Sequence, residues 1–338
     1  MVIIMQNNAT KEQIEKVIAR VKELGLIPHP VIGEEKTIIG VIGNEDILRA
    51  HPVEVFEGVE EVKSITKPFK FASREFKKED TVIEIKGVKI GGNNFVMMAG
   101  PCSIESEEMI FETAKICKEA GAQILRGGAF KPRTSPYDFQ GLGEQGLKYM
   151  KAAADKYNML VVTEVMDAKD IELMEPYADI LQVGARNMQN FTLLKALGRT
   201  DKAILLKRGM AATIKDLLMA AEYIIASGNP NVILCERGIR TFETYSRNTV
   251  DINVIPSAIE LSHLPIIIDA SHGTGKRTLV APITLAGLVA GAHGAMVEVH
   301  PCPECALSDG PQSLRFGEFG DLMKKINKYL EFENRVMG

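Results

Sequence analysis

The run VEVHPCPECALSDGPQS near the C-terminus carries several side chains that can bind a metal ion. It contains the pair Cys302 and Cys305, with Glu298 before the pair and Asp309 after it. A Cys-x-x-Cys pair is typical of structural zinc sites and of redox-active disulfides. A structural zinc site needs a second ligand pair, and no other Cys-x-x-Cys or His-x-x-His occurs in the chain. A zinc-binding interaction protein built on this pair is therefore disfavoured.

Other polar side chains follow short apolar runs throughout the last two-thirds of the chain. In chain order they are Cys102, Arg126, Lys131, Arg133, Thr134, Glu164, Arg186, Lys207, Arg208, Glu236, Arg237, Asp269, His272, Glu298 and Asp309. One charged residue at the end of a strand is usually a solvated loop position, and for Arg208 and Glu236 that interpretation stays open. Whether the others act together depends on the elements that carry them.

Eight apolar runs, from FVMMAG to AMVEVH, alternate with helical stretches from residue 93 onward. Continuously apolar strands that alternate with helices indicate a parallel sheet covered on both faces. Eight units predict a (β/α)8 TIM barrel, whose chemistry lies at the C-terminal ends of the strands. A doubly wound open sheet is the alternative, but no Gly-x-Gly-x-x-Gly fingerprint supports it.

In a closed barrel, the basic residues at the strand ends converge on one rim. Such a gathering is costly in a chain of net charge −4 unless an anionic ligand balances it. Arginine forks and lysine charges suit phosphate and carboxylate groups, and the GAR run at 184–186 adds backbone N–H donors. We therefore expect one or two small substrates with several negative charges.

A second group of side chains comes from the first, seventh and eighth units. Because strands eight and one are neighbours in a closed barrel, Cys102, His272, Glu298 and Asp309 can meet. One thiolate, one imidazole and two carboxylates suit a divalent transition metal such as Zn, Fe, Co or Mn. A catalytic ion there would polarise a carbonyl group.

Residues 1–66 have a separate pattern of short strands and helices in the order βαββαβ. This order predicts a ferredoxin-like domain, with a four-stranded antiparallel sheet and two helices on one face. Residues 67–92 read as a charged linker followed by a β-hairpin with Gly87 in its turn. The barrel is expected to occupy residues 93–338.

Composition excludes several other classes of protein. The negative net charge gives no basic footprint for nucleic acid. The N-terminal residues lack the cationic lead of a signal peptide, and five cysteines without one indicate a reducing, cytoplasmic setting. The most apolar stretch, residues 278–297, is interrupted by Pro282 and His293, and predicts a helix, a turn and a buried strand rather than a membrane span.

The motifs LRGGAFKPRTSPY, GARN, LLKRG, CERG, DASH and EVHP…ALSDGPQS occur in this order. Together they resemble 3-deoxy-D-arabino-heptulosonate 7-phosphate (DAHP) synthases over residues 67–330 or so. The N-terminal pattern resembles the ACT-type regulatory domain of one subgroup. That family condenses phosphoenolpyruvate with erythrose 4-phosphate, the first step of the shikimate pathway.

The resemblance implies a role for each matched residue. Those expected to bind phosphoenolpyruvate are Arg126, Lys131, Gly184, Ala185, Arg186, Lys207 and Arg237. Those expected at erythrose 4-phosphate are Pro132, Arg133, Thr134 and Asp269. The metal ligands would be Cys102, His272, Glu298 and Asp309. Lys131, Glu164 and His272 are the expected catalytic groups.

Two alternatives keep the barrel but change its function. The family that makes 3-deoxy-D-manno-octulosonate 8-phosphate shares the phosphoenolpyruvate site, but it has an Asn-Arg-Ser-Ser type run instead of KPRTS and lacks an N-terminal domain. A non-catalytic amino-acid sensor would have lost a ligand or a phosphate-binding arginine, and none is missing here.

Family resemblance also implies regulation and assembly. The N-terminal domain would bind tyrosine or phenylalanine, with His29 a candidate contact or an ordinary surface residue, and the subunits would form a homotetramer or a dimer. Cys302 and Cys305 receive no catalytic role, although they could form a disulfide or compete for a soft metal.

Overall fold

In the computed structural model, residues 1–33, 36–63, 68–131, 135 and 137–338 are described. They divide into two units, Met1–Pro68 and Phe69–Gly338. The strands of the first unit are β1 (Val2–Met5), β2 (Ile27–Ile32), β3 (Thr37–Ile42) and β4 (Val59–Lys63). Its helices are α1 (Lys11–Glu23) and α2 (Glu45–Ala50).

The first unit is an antiparallel sheet in the order β2-β3-β1-β4. Helix α1 starts where the sequence predicts, because the Thr10 side chain accepts from the backbone N–H of Gln13 while Gln13 caps Thr10 in return. Alternate strand residues such as Ile3 and Ile39 are buried in one cluster with Val17 of α1. The predicted ferredoxin-like order βαββαβ is thereby confirmed.

The second unit holds the remaining elements. Its strands are β5 (Ile83–Ile85), β6 (Val88–Ile90), β7 (Asn94–Gly100), β8 (Ile124–Arg126), β9 (Leu160–Val165), β10 (Ile180–Val183), β11 (Ala203–Lys207), β12 (Val232–Glu236), β13 (Ile266–Asp269), β14 (Gly294–Glu298) and β15 (Val336–Met337). Its α-helices are α3 (Glu107–Glu119), α4 (Glu144–Lys156), α5 (Ile171–Met174), α6 (Phe191–Leu197), α7 (Ile214–Ala226), α8 (Val254–Leu261), α9 (Ala270–Thr274), α10 (Arg277–Val289) and α11 (Phe316–Phe332).

Strands β7 to β14 form a closed barrel. Each pairs in parallel with the next, and β14 pairs in parallel with β7 over Gly294–Glu298. Closure excludes the doubly wound open sheet, which has two free edges. It also makes strands eight and one neighbours, which is the condition for the predicted metal cluster.

Two buried clusters hold the barrel together. One lies between the strands and the surrounding helices. The other contains alternate strand residues such as Val96, Leu205 and Ile267, and it also contains Ile83 and Ile90 of the β5–β6 hairpin. Since the hairpin shares the interior cluster, it helps to seal the barrel. Residue Gly87, with φ of 88°, lies in the hairpin turn as predicted.

The apolar stretch at residues 278–297 forms most of α10, a short turn and most of β14, as predicted. Within the described residues, none of the helices is both long and apolar enough to cross a membrane.

Residues 69–80, assigned to a linker from sequence, belong to the second unit and are hydrogen-bonded to its helices. The backbone N–H groups of Phe71 and Ala72 donate to the Glu222 carboxylate of α7 at 3.0 and 2.8 Å. The Arg74 guanidinium donates to the Ile259 carbonyl.

Candidate active site

Charged or polar residues end most of the barrel strands. Arg126, Lys207, Glu236, Asp269 and Glu298 are the last residues of β8, β11, β12, β13 and β14. All are at most 5% exposed. Because the strands are parallel and closed, their C-terminal ends bring these side chains to one rim.

A cavity of about 310 Å³ opens at this rim. Its described lining residues are Cys102, Lys131, Asp138, Glu164, Gly184, Ala185, Arg186, Lys207, Met210, Arg237, Arg240, Arg247, Asn248, His272, Ser308 and Asp309. Six of them are lysine or arginine, whereas three are aspartate or glutamate. This excess of positive charge suits an anionic ligand.

Cys102, Glu298 and Asp309 form a compact cluster at the cavity. One ligand atom from each lies within 4.8 Å of the others. The His272 Nε2 atom lies 3.3 Å from Glu298 Oε1 and 3.8 Å from Asp309 Oδ2. Four side chains from β14, α9 and two loops thus converge as the sequence predicts, and their donor set fits a divalent transition metal.

The ring of His272 is oriented from its other side. Its Nδ1 atom lies 2.8 Å from Asp269 Oδ2, although without hydrogen-bond geometry, and Nε2 faces the cluster. Metal-binding histidines commonly present their second nitrogen to a carboxylate in this way. Burial would raise the pKa of Asp269, but His272 and Lys207 hold that pKa well below its ordinary value, so this carboxylate stays charged.

The Cys102 thiol is buried and its pKa is raised to about 11, first by burial and then by the nearby Glu298 charge. Lys131 opposes this shift, because its Nζ atom lies 3.3 Å from Cys102 Sγ and also donates to the Cys102 carbonyl. Without a cation in the cluster, the sulfur therefore holds its proton at neutral pH. Thiolate ligation would release that proton.

Two buried arginines on adjacent strand ends have different surroundings. Arg208 donates to Glu236 at 2.9 Å and to Asp251 at 3.0 Å. Arg237 is also 5% exposed, yet no carboxylate of the described residues lies at ion-pair distance from it. Burial lowers the pKa of Arg237. The solvated-loop interpretation of Arg208 and Glu236 is wrong, because both side chains are buried as an ion pair.

Arg126, expected to contact phosphoenolpyruvate, is paired with Glu298 of the Cys102 cluster. Its Nη1 atom donates to Glu298 Oε1 at 2.9 Å and to the Pro101 carbonyl at 2.8 Å. Burial would lower the pKa of Arg126, but Glu298 raises it above its ordinary value. Arg126 is not among the described residues that line the cavity. Because its Nη1 atom is already engaged, a substrate contact would use its remaining N–H donors.

Glu164 and Gly184 meet at the opposite wall of the cavity. Gln182 Nε2 donates to Glu164 Oε2 at 3.1 Å. A Cβ atom at residue 184 would lie 2.1 Å from Glu164 Oε1, so a larger residue there would displace the Glu164 carboxylate from its present position. The GAR run and Glu164 therefore lie against each other in the cavity lining.

The Cys-x-x-Cys pair lies in the loop between Glu298 and Asp309. Cys302 and Cys305 are joined as a disulfide, and neither is among the described cavity-lining residues. Buried His300 accepts from the backbone N–H of Cys302 at 3.1 Å. Asp309 then adopts φ of 52°, a left-handed conformation uncommon outside glycine.

Several predicted residues need separate mention. The erythrose 4-phosphate candidates Pro132, Arg133 and Thr134 lie outside the described residues. His29 is exposed on β2 in the first unit. The sequence-based prediction missed five polar lining residues, Arg240, Arg247, Asn248, Ser308 and Asp138. The first three follow β12 in the loop RTFETYSRN, where two further arginines so soon after Arg237 were an available signal.

Comparisons with known proteins cover both units. The model described as "DAHP synthetase I family" matches residues 76–332, and the "DAHP synthase ferredoxin-like domain" matches residues 1–67. A phospho-2-dehydro-3-deoxyheptonate aldolase of Thermotoga maritima is 51% identical over 97% of both chains. A 2-dehydro-3-deoxyphosphooctonate aldolase of Syntrophobacter fumaroxidans is 32% identical over 72% of this chain and 90% of its own.

Solved structures agree with these matches. The crystal structure of the Thermotoga maritima DAHP synthase has a TM-score of 0.96 and 49% identity, covering 100% of this chain and 99% of that one. A truncated form of the Thermotoga enzyme has a TM-score of 0.75 and 50% identity, covering 79% of this chain and 98% of its own.

Proposed function

Since the chain belongs to the DAHP synthetase I family, we propose that it condenses phosphoenolpyruvate with erythrose 4-phosphate to give DAHP and inorganic phosphate. As a member of that family it is an enzyme, a transferase of the aldolase type. The observation that carries the proposal is buried Arg237, which pairs with no carboxylate of the described residues and lines a cationic cavity next to the Cys102 cluster.

Phosphoenolpyruvate would occupy the cationic side of this cavity. Arg186, Lys207 and Arg237 supply the donors for its phosphate, with the Gly184–Ala185 backbone beside them. Lys131 and the free donors of Arg126 would hold its carboxylate. The desolvation penalty of Arg237 is offset once a phosphate lies against it, which favours phosphate at this position.

Erythrose 4-phosphate would lie between the cluster and the loop after β8. Asp269 is expected to contact it, although its carboxylate also serves Lys207 and His272. Pro132, Arg133 and Thr134 remain the candidates for its phosphate group. They follow Lys131, a cavity-lining residue, directly in the chain.

The metal proposal assigns Cys102, His272, Glu298 and Asp309 as ligands of one divalent ion, with Mn, Fe, Zn and Co as the candidates by donor chemistry. When bound, the ion would polarise the aldehyde of the second substrate. Arg126 donates to Glu298 Oε1, and Asp269 lies 2.8 Å from His272 Nδ1, so both candidate ligands have a charged neighbour before an ion arrives.

The reaction joins C3 of phosphoenolpyruvate to the aldehyde carbon of erythrose 4-phosphate. Water adds at C2, and phosphate leaves with cleavage of its C–O bond. The cations hold two mutually repelling anions together, an orientation effect that can be worth about 7–11 kcal/mol. Glu164, steadied by Gln182, is suited to position the water, and Lys131 is suited to proton transfer at the aldehyde oxygen.

We propose a regulatory role for residues 1–66, with tyrosine or phenylalanine as the effector. On the sheet face that carries His29, the side chains of Ile27, Val31, Ile38 and Ile42 are exposed. His29 pairs with Gly40, so no side chain opposes its ring on the neighbouring strand. An aromatic amino acid fits such a face, and assembly into a homotetramer would bring copies of it together.

A substrate comparison tests the catalytic proposal. Purified protein is supplied with phosphoenolpyruvate and either erythrose 4-phosphate or arabinose 5-phosphate, and phosphate release is measured. We expect release with the four-carbon sugar. Preference for the five-carbon sugar would assign the octulosonate reaction, and release with neither sugar would support a sensor without activity.

Deletion of residues 1–66 tests the regulatory proposal. The shortened protein should keep its turnover but lose inhibition by tyrosine or phenylalanine, and full-length His29→Ala should lose inhibition in part. Undiminished inhibition of the shortened protein would refute the proposal. Light scattering of both proteins gives the subunit number, for which four is expected.

A further inference from the structure

Arg247 lies in the loop after β12 and reaches the metal cluster from the mouth of the cavity. The loop is fixed to α9, which carries His272, because the Arg247 N–H donates to the Thr274 carbonyl at 2.9 Å and the Asn248 side chain donates to the His272 carbonyl at 3.0 Å. A shift of this loop would therefore also disturb one candidate ligand.

The guanidinium of Arg247 contacts one cluster carboxylate directly and a second through an amide. Its Nη1 atom lies 3.5 Å from Asp309 Oδ1 and donates to Gln312 Oε1 at 3.2 Å. Gln312 Nε2 in turn donates to Glu298 Oε2 at 2.6 Å.

The side chain of Gln312 is buried, and both ends of its amide are used in these contacts. It is 3% exposed, and a buried amide is costly unless both its oxygen and its nitrogen are hydrogen-bonded. Here the oxygen faces Arg247 and the nitrogen faces Glu298, so the amide orientation is set by charge on both sides. Arg126 already holds Glu298 Oε1, and Gln312 holds the other oxygen.

We propose that Arg247 and Gln312 are positioning residues, which hold Asp309 and Glu298 in the geometry needed to bind the divalent ion. The inference rests on the proposed function, because it takes the cluster to be a metal site. Neither residue serves as a ligand in this assignment. Groups that orient metal ligands typically contribute about 10–100-fold to metal affinity.

Charge alone predicts the opposite effect for Arg247. Removing a positive charge beside a cation site should strengthen cation binding. Weaker binding after the loss of Arg247 would therefore identify orientation rather than electrostatics. Arg240 provides the matched control, because it is an arginine of the same loop, lines the same cavity and makes no ion pair with a carboxylate of the described residues.

The test titrates metal-stripped, full-length proteins with Co²⁺ alone, and follows both the heat of binding and the thiolate-to-cobalt absorption band. We expect about 10-fold weaker binding for Arg247→Met and about 10–100-fold weaker binding for Gln312→Leu. Arg240→Met should bind Co²⁺ at least as tightly as the unmodified protein. Arg247→Lys should recover part of the loss, since it retains one donor.

Thermal unfolding of the metal-free variants separates folding from positioning. Gln312→Leu could destabilise the loop, whereas Arg247 is exposed and its replacement should leave the unfolding temperature unchanged. Equal or tighter Co²⁺ binding by Arg247→Met would overturn the inference. Failure of the unmodified protein to bind Co²⁺ would instead overturn the metal proposal on which it rests.

Discussion

At the C-terminal ends of the barrel strands most of the buried end residues are charged, whereas the N-terminal ends bury mainly apolar or neutral side chains, with Asp179 before β10 as an exception. The rim buries Arg126, Lys207, Asp269 and Glu298. The opposite end, here called the base, buries the hairpin residues Ile83 and Ile90 within the barrel interior. The same eight strands thus carry two regions with different physical costs.

The base also contains a histidine, but one kept neutral. His293 directly precedes β14 and accepts from the Ile266 N–H through Nδ1 at 3.1 Å. Its pKa is lowered to about 4, first by burial and then by Arg335. The comparison teaches that the base contributes stability through burial of apolar groups, whereas the rim gives up stability to hold charges for a ligand.

The largest effect is expected at the metal cluster of the rim. Cys102→Ala removes one of the four proposed ligands, and loss of the ion should reduce turnover by about 10³-fold, since metal polarisation is worth several kcal/mol. Phosphoenolpyruvate binding, measured by calorimetry, should persist because the phosphate-binding cations are unchanged. Full turnover in this variant would show that the cluster is not the metal site.

Arg208→Met should produce the largest loss of stability at the rim. It leaves Glu236 buried without its cation, which typically costs about 3–5 kcal/mol of unfolding free energy. Urea unfolding measures the change.

The same substitution at Arg237 is the matched control. Arg237→Met removes a buried cation that has no carboxylate partner in the described part of the chain, so stability should stay equal or rise. Phosphoenolpyruvate affinity should instead fall roughly 10²-fold, because two charge-assisted hydrogen bonds are lost. If both variants lost stability equally, the distinction between structural and ligand-binding arginines would fail.

His293 sharpens the comparison from the base. The folded-state pKa of about 4 lies below the ordinary 6.5, so the unfolded chain takes up the proton first as the pH falls. The contribution of neutral His293 to the free energy of unfolding is fully present above pH 6.5. It decreases toward pH 4, by up to about 3 kcal/mol. His293→Gln should flatten the profile of unfolding free energy against pH in that window without changing turnover at pH 7. An unchanged profile would refute this assignment.

The smallest effect is expected from the cysteine pair. Replacing Cys302 and Cys305 together by serine removes a crosslink across a very short loop, worth about 2 kcal/mol in the chain-entropy treatment. Turnover and metal content should not change, because neither residue is among the described cavity-lining residues. Unfolding without reductant measures the first effect. A fall in metal content would give the pair a role at the metal site.

The barrel could be predicted from the sequence because its signals are local. Each strand is a short apolar run, and most have a polar residue at or just after their end, so both the fold and the candidate ligands follow from one pattern. Closure of the sheet then brings Cys102 and Glu298 together although they are far apart in the chain.

The pairing of charges could not be predicted in the same way. Arg126 and Glu298 are separated by 172 residues, and nothing in either motif indicates that they pair. Arg208 and Arg237 occupy equivalent strand ends, yet only the folded structure distinguishes the paired cation from the unpaired one. Arg247 and Gln312 lie in irregular loops without periodicity, so the sequence does not predict which side chains they contact.

The most direct test follows product formation while metal-stripped protein is titrated with Mn²⁺ in the presence of phosphoenolpyruvate and erythrose 4-phosphate. Metal content is measured in the same samples. The account predicts that the rate of DAHP formation rises in proportion to occupancy and levels off at one ion per chain. Full activity in the stripped protein, or bound ion without product, would contradict it.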